Sequence, residues 1–350
     1  MLRTIFILLF ITFSHCANAA NEIDVGVFYY PGWNQPHTDP WAKIRLYPDR
    51  EPLLGWYKES SRKVTAQHVQ WMSDYGIDYV VYDWYWDNTH GVTRTHAINS
   101  FMALPQNKLN FMVMWANHTN TPSSLDQFDA IVDYWINNYF SHRNYKKIDG
   151  KPAVFIFSPE RLASDAHRFG YSTSMLLDRA NRASEVAGFG GIYFIGSINP
   201  SKGHSPSDLE NSGYNALSAY NYQDFSRGEI RDTALSKNYR ELSTGYQQKW
   251  DWVIKHSNVP YFIPVTSGWD KRPWGGSTMP DHDNSSSTPE LFSEQLRSAK
   301  KYVTENPQKT LGNIIICCWN EYGEGSVIEP SKKFGTEYLE LINKILSGNN

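Results

Sequence analysis

Cysteine is scarce, neither sign of charge dominates, and long apolar runs are missing. The chain of 350 residues holds 3 Cys, and 33 Lys and Arg face 36 Asp and Glu for a formal net charge of −3. That balance offers nucleic acid no electrostatic footprint. Beyond the amino terminus no segment approaches the ~18 unbroken apolar residues of a membrane span. The motifs H-E-x-x-H, G-x-S-x-G and the P-loop are missing, as is any His or Cys cluster with zinc spacing. The residues therefore call for no cofactor and no metal.

What is abundant is aromatic. Phe, Trp and Tyr make up 15% of the chain, including 13 Trp and 22 Tyr, against 41% hydrophobic and 20% charged residues overall. A core is available and general disorder is excluded. Flat amphipathic rings in such surplus suit the faces of sugars, although packing also consumes them.

The amino terminus sets the expected compartment. Arg3 precedes an apolar run over 5–13 and then Ala17-Asn18-Ala19, the pattern of a cleavable export signal over residues 1–19. The expected location is secreted or periplasmic, with residues 20–350 forming one catalytic domain. Of the cysteines, Cys317 and Cys318 then remain, adjacent in an apolar run. Neighbouring cysteines rarely bridge, so two buried free thiols are expected.

The mature chain repeats one pattern: a β-rich run, a polar and aromatic loop, a helical stretch. The runs cover 23–30, 77–85, 109–116, 153–157, 192–198, 214–220, 261–265 and 313–319. Most are continuously apolar, as strands covered on both faces must be. Helices are predicted over 64–75, 125–139, 173–187, 236–255, 289–304 and 335–346, with Thr65, Ser124 and Thr288-Pro289-Glu290 as start signals. The helix before the sixth run is hard to place around 207–212. Strand–helix alternation implies parallel strands, and a unit of about 40 residues suits an α/β fold of one (β/α)₈ TIM barrel with long βα loops. A doubly wound sheet is disfavoured because no G-x-G-x-x-G follows the first run.

Chemistry in such barrels sits on the loops after the strands. Those ends read Tyr29-Tyr30, Asp83-Trp84-Tyr85-Trp86, Trp115-Ala116-Asn117-His118, Tyr220-Asn221-Tyr222, Gly268-Trp269-Asp270 and Trp319-Asn320-Glu321-Tyr322-Gly323-Glu324-Gly325. Rings and carboxylates interleave at one rim, which suits an uncharged, polyhydroxylated ligand. Glu321 and Glu324 are the candidate catalytic pair, since cleaving a glycosidic bond takes one acid for the leaving oxygen and a second at the anomeric centre. Their convergence requires an immediate helical turn after the strand. Tyr30, Asp83, Trp86, Asn117, Tyr222, Trp269 and Asp270 are the candidate sugar-binding residues.

These motifs resemble those of the endo-α-mannosidase family of glycoside hydrolases, family 99, and of the related WbsX-like domains. The last motif is similar to W-N-E-W-x-E-G, and Tyr29-Tyr30-Pro31-Gly32-Trp33, Tyr75-Gly76-Ile77-Asp78 and Gly268-Trp269-Asp270 match in order. The resemblance implies a (β/α)₈ retaining hydrolase in which Glu321 acts as base on the sugar's own 2-hydroxyl and Glu324 as acid at the leaving oxygen, through a 1,2-anhydro sugar. Where the family commonly carries His before the second glutamate, this chain has Gly323, and His118-Thr119-Asn120 replaces Glu-Asn-Trp. Two rival readings stand: a WbsX-like glycosyltransferase, supported by Asp281-His282-Asp283 in a polar loop, and a catalytically dead sugar-binding barrel. The expected partner is an oligosaccharide or polysaccharide.

Overall fold

The computed structural model describes residues 23–35, 37–105, 107–118 and 121–347. The expected export signal over 1–19 lies outside the described residues. Eight parallel strands carry the architecture, each covered on both faces: β1 Asp24–Tyr29, β2 Tyr79–Asp87, β3 Asn110–Trp115, β4 Lys151–Ile156, β5 Tyr193–Ser197, β6 Ala216–Ser218, β7 Ile263–Thr266 and β8 Asn313–Cys317. Hydrogen bonding runs in the order β7-β8-β1-β2-β3-β4-β5-β6, and a parallel bridge between Leu217 and Tyr261 closes the ring. All eight fall on the predicted apolar runs. The cylinder is the TIM barrel expected from the alternation, its interior a packed core and not a pore.

Helices return the chain between strands: α1 Arg62–Asp74, α2 His96–Met102, α3 Leu125–Trp135, α4 Pro159–Arg168, α5 Thr173–Val186, α6 Pro206–Asn211, α7 Tyr239–His256, α8 Pro289–Glu305, α9 Pro307–Thr310 and α10 Glu337–Leu346. Ser124 and Thr288 cap α3 and α8 through their side-chain oxygens, as the sequence signals require. Thr65 is no cap: α1 starts three residues earlier, after Ser61, and Thr65 lies buried within it. The elusive sixth-unit helix is α6, a short segment opened by Pro206.

The expectation of free thiols gives way. Cys317 and Cys318 are bonded to each other and not free, and the peptide bond between them is cis. The aromatic surplus goes largely into packing: Trp33, Trp84, Trp115, Trp135, Trp250 and Trp319 are all fully buried. Trp33 stacks on Trp41 at 4.0 Å, and both rings meet Tyr322 edge-on, so a second aromatic nucleus pins the loop after β1 beneath the loop after β8.

Candidate active site

The last strand delivers the acids. Beyond Cys318 the chain forms a two-stranded hairpin, Asn320–Glu321 against Ser326–Val327, in place of the helical turn expected from the sequence. Within its turn the Glu324 N–H donates to the Glu321 carbonyl at 3.1 Å, and Gly325 takes φ +73°, a conformation that favours glycine. Gly323 is required for a different reason: a Cβ there would lie 2.0 Å from the Trp274 ring. The indole of Trp274 therefore occupies the space that a side chain at position 323 would fill.

Glu321 and Glu324 open into one cleft of about 960 Å³ at the carboxyl ends of the strands, together with Asp83 from β2. Burial pushes Glu321 well above the ordinary carboxylate range, and the negative charges of Glu324 and Asp83 add to this against the Tyr220 hydroxyl and Arg94. Burial lifts Glu324 from 4.5 to about 7, opposed by Lys271. Asp83 is driven up by its own burial, with Glu324 contributing, while the Tyr220 bond and Arg94 pull it down.

Tyr220, just after β6, ties two of these acids together. Its hydroxyl lies 2.9 Å from Glu321 Oε1 and 3.1 Å from Asp83 Oδ2. A phenol has one hydrogen to give, so both contacts are hydrogen bonds only when one of the carboxyls carries a proton. The partner oxygens Asp83 Oδ1 and Glu321 Oε2 are buried without a protein partner. The three side chains thus leave two uncommitted carboxyl oxygens in the cleft.

Around it stand Tyr30, Tyr85, Trp86, Arg94, His118, Phe157 and Trp274. Of the predicted sugar-binding residues, Tyr30, Asp83 and Trp86 are brought to this cleft. Tyr222 and Trp269 line an adjoining cavity of about 440 Å³ that shares Phe157, Tyr220 and Glu324 with the first. Both are buried: the Tyr222 hydroxyl donates to the Ile198 carbonyl at 3.0 Å, and Trp269 donates from Nε1 to Ser277 Oγ.

Asn117 and Asp270 are not brought there. The Asn117 amide clamps Ser158, accepting from its N–H and donating to its carbonyl, both at 2.8 Å, and the side chain is fully buried away from the cleft. The Asp270 carboxylate is committed to Arg50 and Arg272 and faces a separate cavity beside Tyr47. Sequence reasoning passed over Tyr220 although it stands in a strand-end motif, and Trp274, four residues beyond Gly268-Trp269-Asp270; Arg94 carries no local signal at all.

The tripeptide Asp281-His282-Asp283 is not the solvated loop its polarity suggests. His282 and Asp283 are buried, and Asp283 accepts from the Lys271 and Ser277 N–H groups, each at 2.8 Å, and from Ser277 Oγ at 2.7 Å. Its oxygens hold the loop after β7 together, which leaves them poorly placed to ligate a nucleotide-bound metal. Among the described residues no group of three or more His, Cys, Asp or Glu is disposed to hold a metal ion.

Comparison with known proteins agrees with the barrel architecture. The solved structure of a GH99 endo-α-mannosidase from Bacteroides thetaiotaomicron, in complex with bis-tris propane, is similar at a TM-score of 0.63 and 18% identity, covering 93% of this chain and 96% of the other. A structure titled glycoside hydrolase-like protein aligns at a TM-score of 0.61 with 16% identity, over 93% and 94% of the two chains. A β-glucosidase from Trichoderma harzianum gives a TM-score of 0.52 at 10% identity, over 92% and 97%. These likenesses establish the fold. No curated protein matches the sequence. Residues 45–342 match the family described as glycosyltransferase WbsX, and the chain belongs to that family.

Proposed function

We propose that the protein is an exported glycoside hydrolase that cleaves within an α-mannoside-like glycan, with Glu321 and Glu324 as its catalytic residues. The observation that carries the proposal is the pair itself: two buried carboxylates from one hairpin, facing one cleft, each raised by burial and Glu321 raised further by the charge of Glu324. A hydrolase needs an acid that is still protonated near neutrality, and Glu324 at about 7 meets that need. The uncommitted Glu321 Oε2 supports a role in accepting a proton from a bound hydroxyl. The export reading rests on the composition of residues 1–19.

In the proposed route Glu321 takes the proton of the sugar's 2-hydroxyl while O2 attacks C1. The C1–O bond to the leaving group breaks, and Glu324 gives its proton to the departing oxygen. The 1,2-anhydro sugar is then opened at C1 by water, which Glu324 deprotonates while Glu321 returns its proton to O2. Two acids on one loop suit this geometry, since a nucleophile and an acid that flank the anomeric carbon ordinarily come from different strands. Endo action is supported by the two cavities that meet at Tyr220 and Glu324, giving a chain room on both sides of the acids.

Substrates whose cleaved sugar lacks a free 2-hydroxyl are expected to be inert, and efficient cleavage of a 2-deoxy analogue would exclude the route. The family's description as a glycosyltransferase sets the contrary outcome: transfer from a sugar nucleotide with Mn²⁺, without hydrolysis of any oligosaccharide.

A further inference from the structure

Arg94 is the cation of the cleft; its charge acts on Asp83 and Glu321 from a distance, but among the described residues no carboxylate pairs with it directly. It follows the hairpin that β2 forms with Gly91–Thr93, in the left-handed region at φ +56°, a conformation costly for a side chain of its size. Its Nη1 donates to the Tyr30 hydroxyl at 3.2 Å, and its guanidinium lies 4.9 Å from the centre of the Tyr85 ring and 5.8 Å from that of Tyr30. Four carboxylates line the same cleft, Asp83, Asp87, Glu321 and Glu324, yet Arg94 makes no ion pair among the described residues. Asp87 is engaged with His90, and Asp83 and Glu321 converge on Tyr220.

From this arrangement we infer that the glycan is anionic: the sugar bound beside Tyr30 and Tyr85 carries a carboxylate or a sulfate ester that pairs with the Arg94 guanidinium. The inference rests on the hydrolase reading above and names its substrate class. One Arg94 donor is used by Tyr30, and the rest of a planar fork of five remains for a ligand. A neutral sugar seated here would strip water from a guanidinium that the carboxylates reach only at a distance, whereas an oxyanion accepts two parallel N–H bonds. The two tyrosine rings fix the guanidinium in place before the ligand arrives. Burial raises the proton affinity of Asp83, Glu321 and Glu324, which makes the cleft less negative than its residue count suggests.

The test compares polymers that differ in charge alone. A glucuronomannan is set against its carboxyl-reduced form, and a sulfated mannan against its desulfated form, with the full mature chain. Binding is read by affinity electrophoresis and cleavage by reducing-end release. The expected result is a preference of roughly tenfold to a hundredfold for the acidic member of one pair, the range of a charge-assisted hydrogen bond, and that pair identifies the group. The preference ratio should collapse toward one in Arg94→Gln and survive in part in Arg94→Lys, and added salt should weaken it. Equal binding of charged and neutral members in both pairs, or no binding of any, overturns the inference. Preferential binding without cleavage would instead preserve it and count against the hydrolase reading.

Discussion

The side-chain amide of Asn320 grips the backbone of Tyr30 at both ends: Oδ1 accepts from the Tyr30 N–H at 2.9 Å, and Nδ2 donates to the Tyr30 carbonyl at 3.0 Å. The first and last loops of the barrel are thus laced together beside Glu321, and a further bond of 3.1 Å runs from Asn320 Nδ2 to the buried Glu59. Asn320→Ala leaves these buried groups unpaired. The expected loss is about 2–3 kcal/mol of unfolding free energy, measured by urea denaturation.

Tyr220→Phe removes the hydroxyl between Asp83 and Glu321. That hydroxyl favours the charged forms of both acids, so its loss raises their proton affinity further. The acidic limb of the kcat/KM profile should move to higher pH, and kcat should fall roughly tenfold to a hundredfold. A profile that keeps its position would assign Tyr220 to packing alone.

Glu324 yields a stability prediction whose sign follows from its raised pKa. Unfolding returns it from about 7 to its ordinary 4.5, so the folded protein holds the extra proton between those values. Its ionisation therefore costs nothing below about 4.5 and progressively destabilises the fold as pH rises toward 7. Glu324→Gln should match the wild type at pH 4 and exceed it at pH 8 by at most ~3 kcal/mol, read from denaturation curves at the two pH values.

Gly323→Ala places a methyl group against the Trp274 indole, which must swing away. Trp274 is half-buried at the mouth of the cleft and meets Tyr30 edge-on at 5.9 Å. The expected result is a severalfold rise in KM with a smaller change in kcat, measured on a defined oligosaccharide, because the platform moves and the acids do not.

The barrel was legible because strands covered on both faces are written as continuous apolar runs, and no tertiary fact is needed to read them. Glu321, Glu324, Asp83, Tyr30 and Trp86 were legible for a related reason: position after a strand fixes the end of the barrel to which a residue belongs. Position does not fix what a side chain holds once there. Asn117 finds Ser158 across 41 residues and Asp270 finds Arg50 across 220, so strand-end residues that read as ligand-binding serve as clamps. Arg94 reaches the cleft because a hairpin folds back along β2, a turn with no periodic signature. The Cys317–Cys318 bond joins adjacent residues in an apolar run, where the sequence reads as two free thiols.

The most direct measurement is turnover of an α-mannan by the wild type, Glu321→Gln and Glu324→Gln, with products resolved by size. The account predicts internal cleavage by the wild type and a loss of three or more orders of magnitude in each variant, both still folded and still retained by the polymer. Turnover that persists in either variant would contradict it.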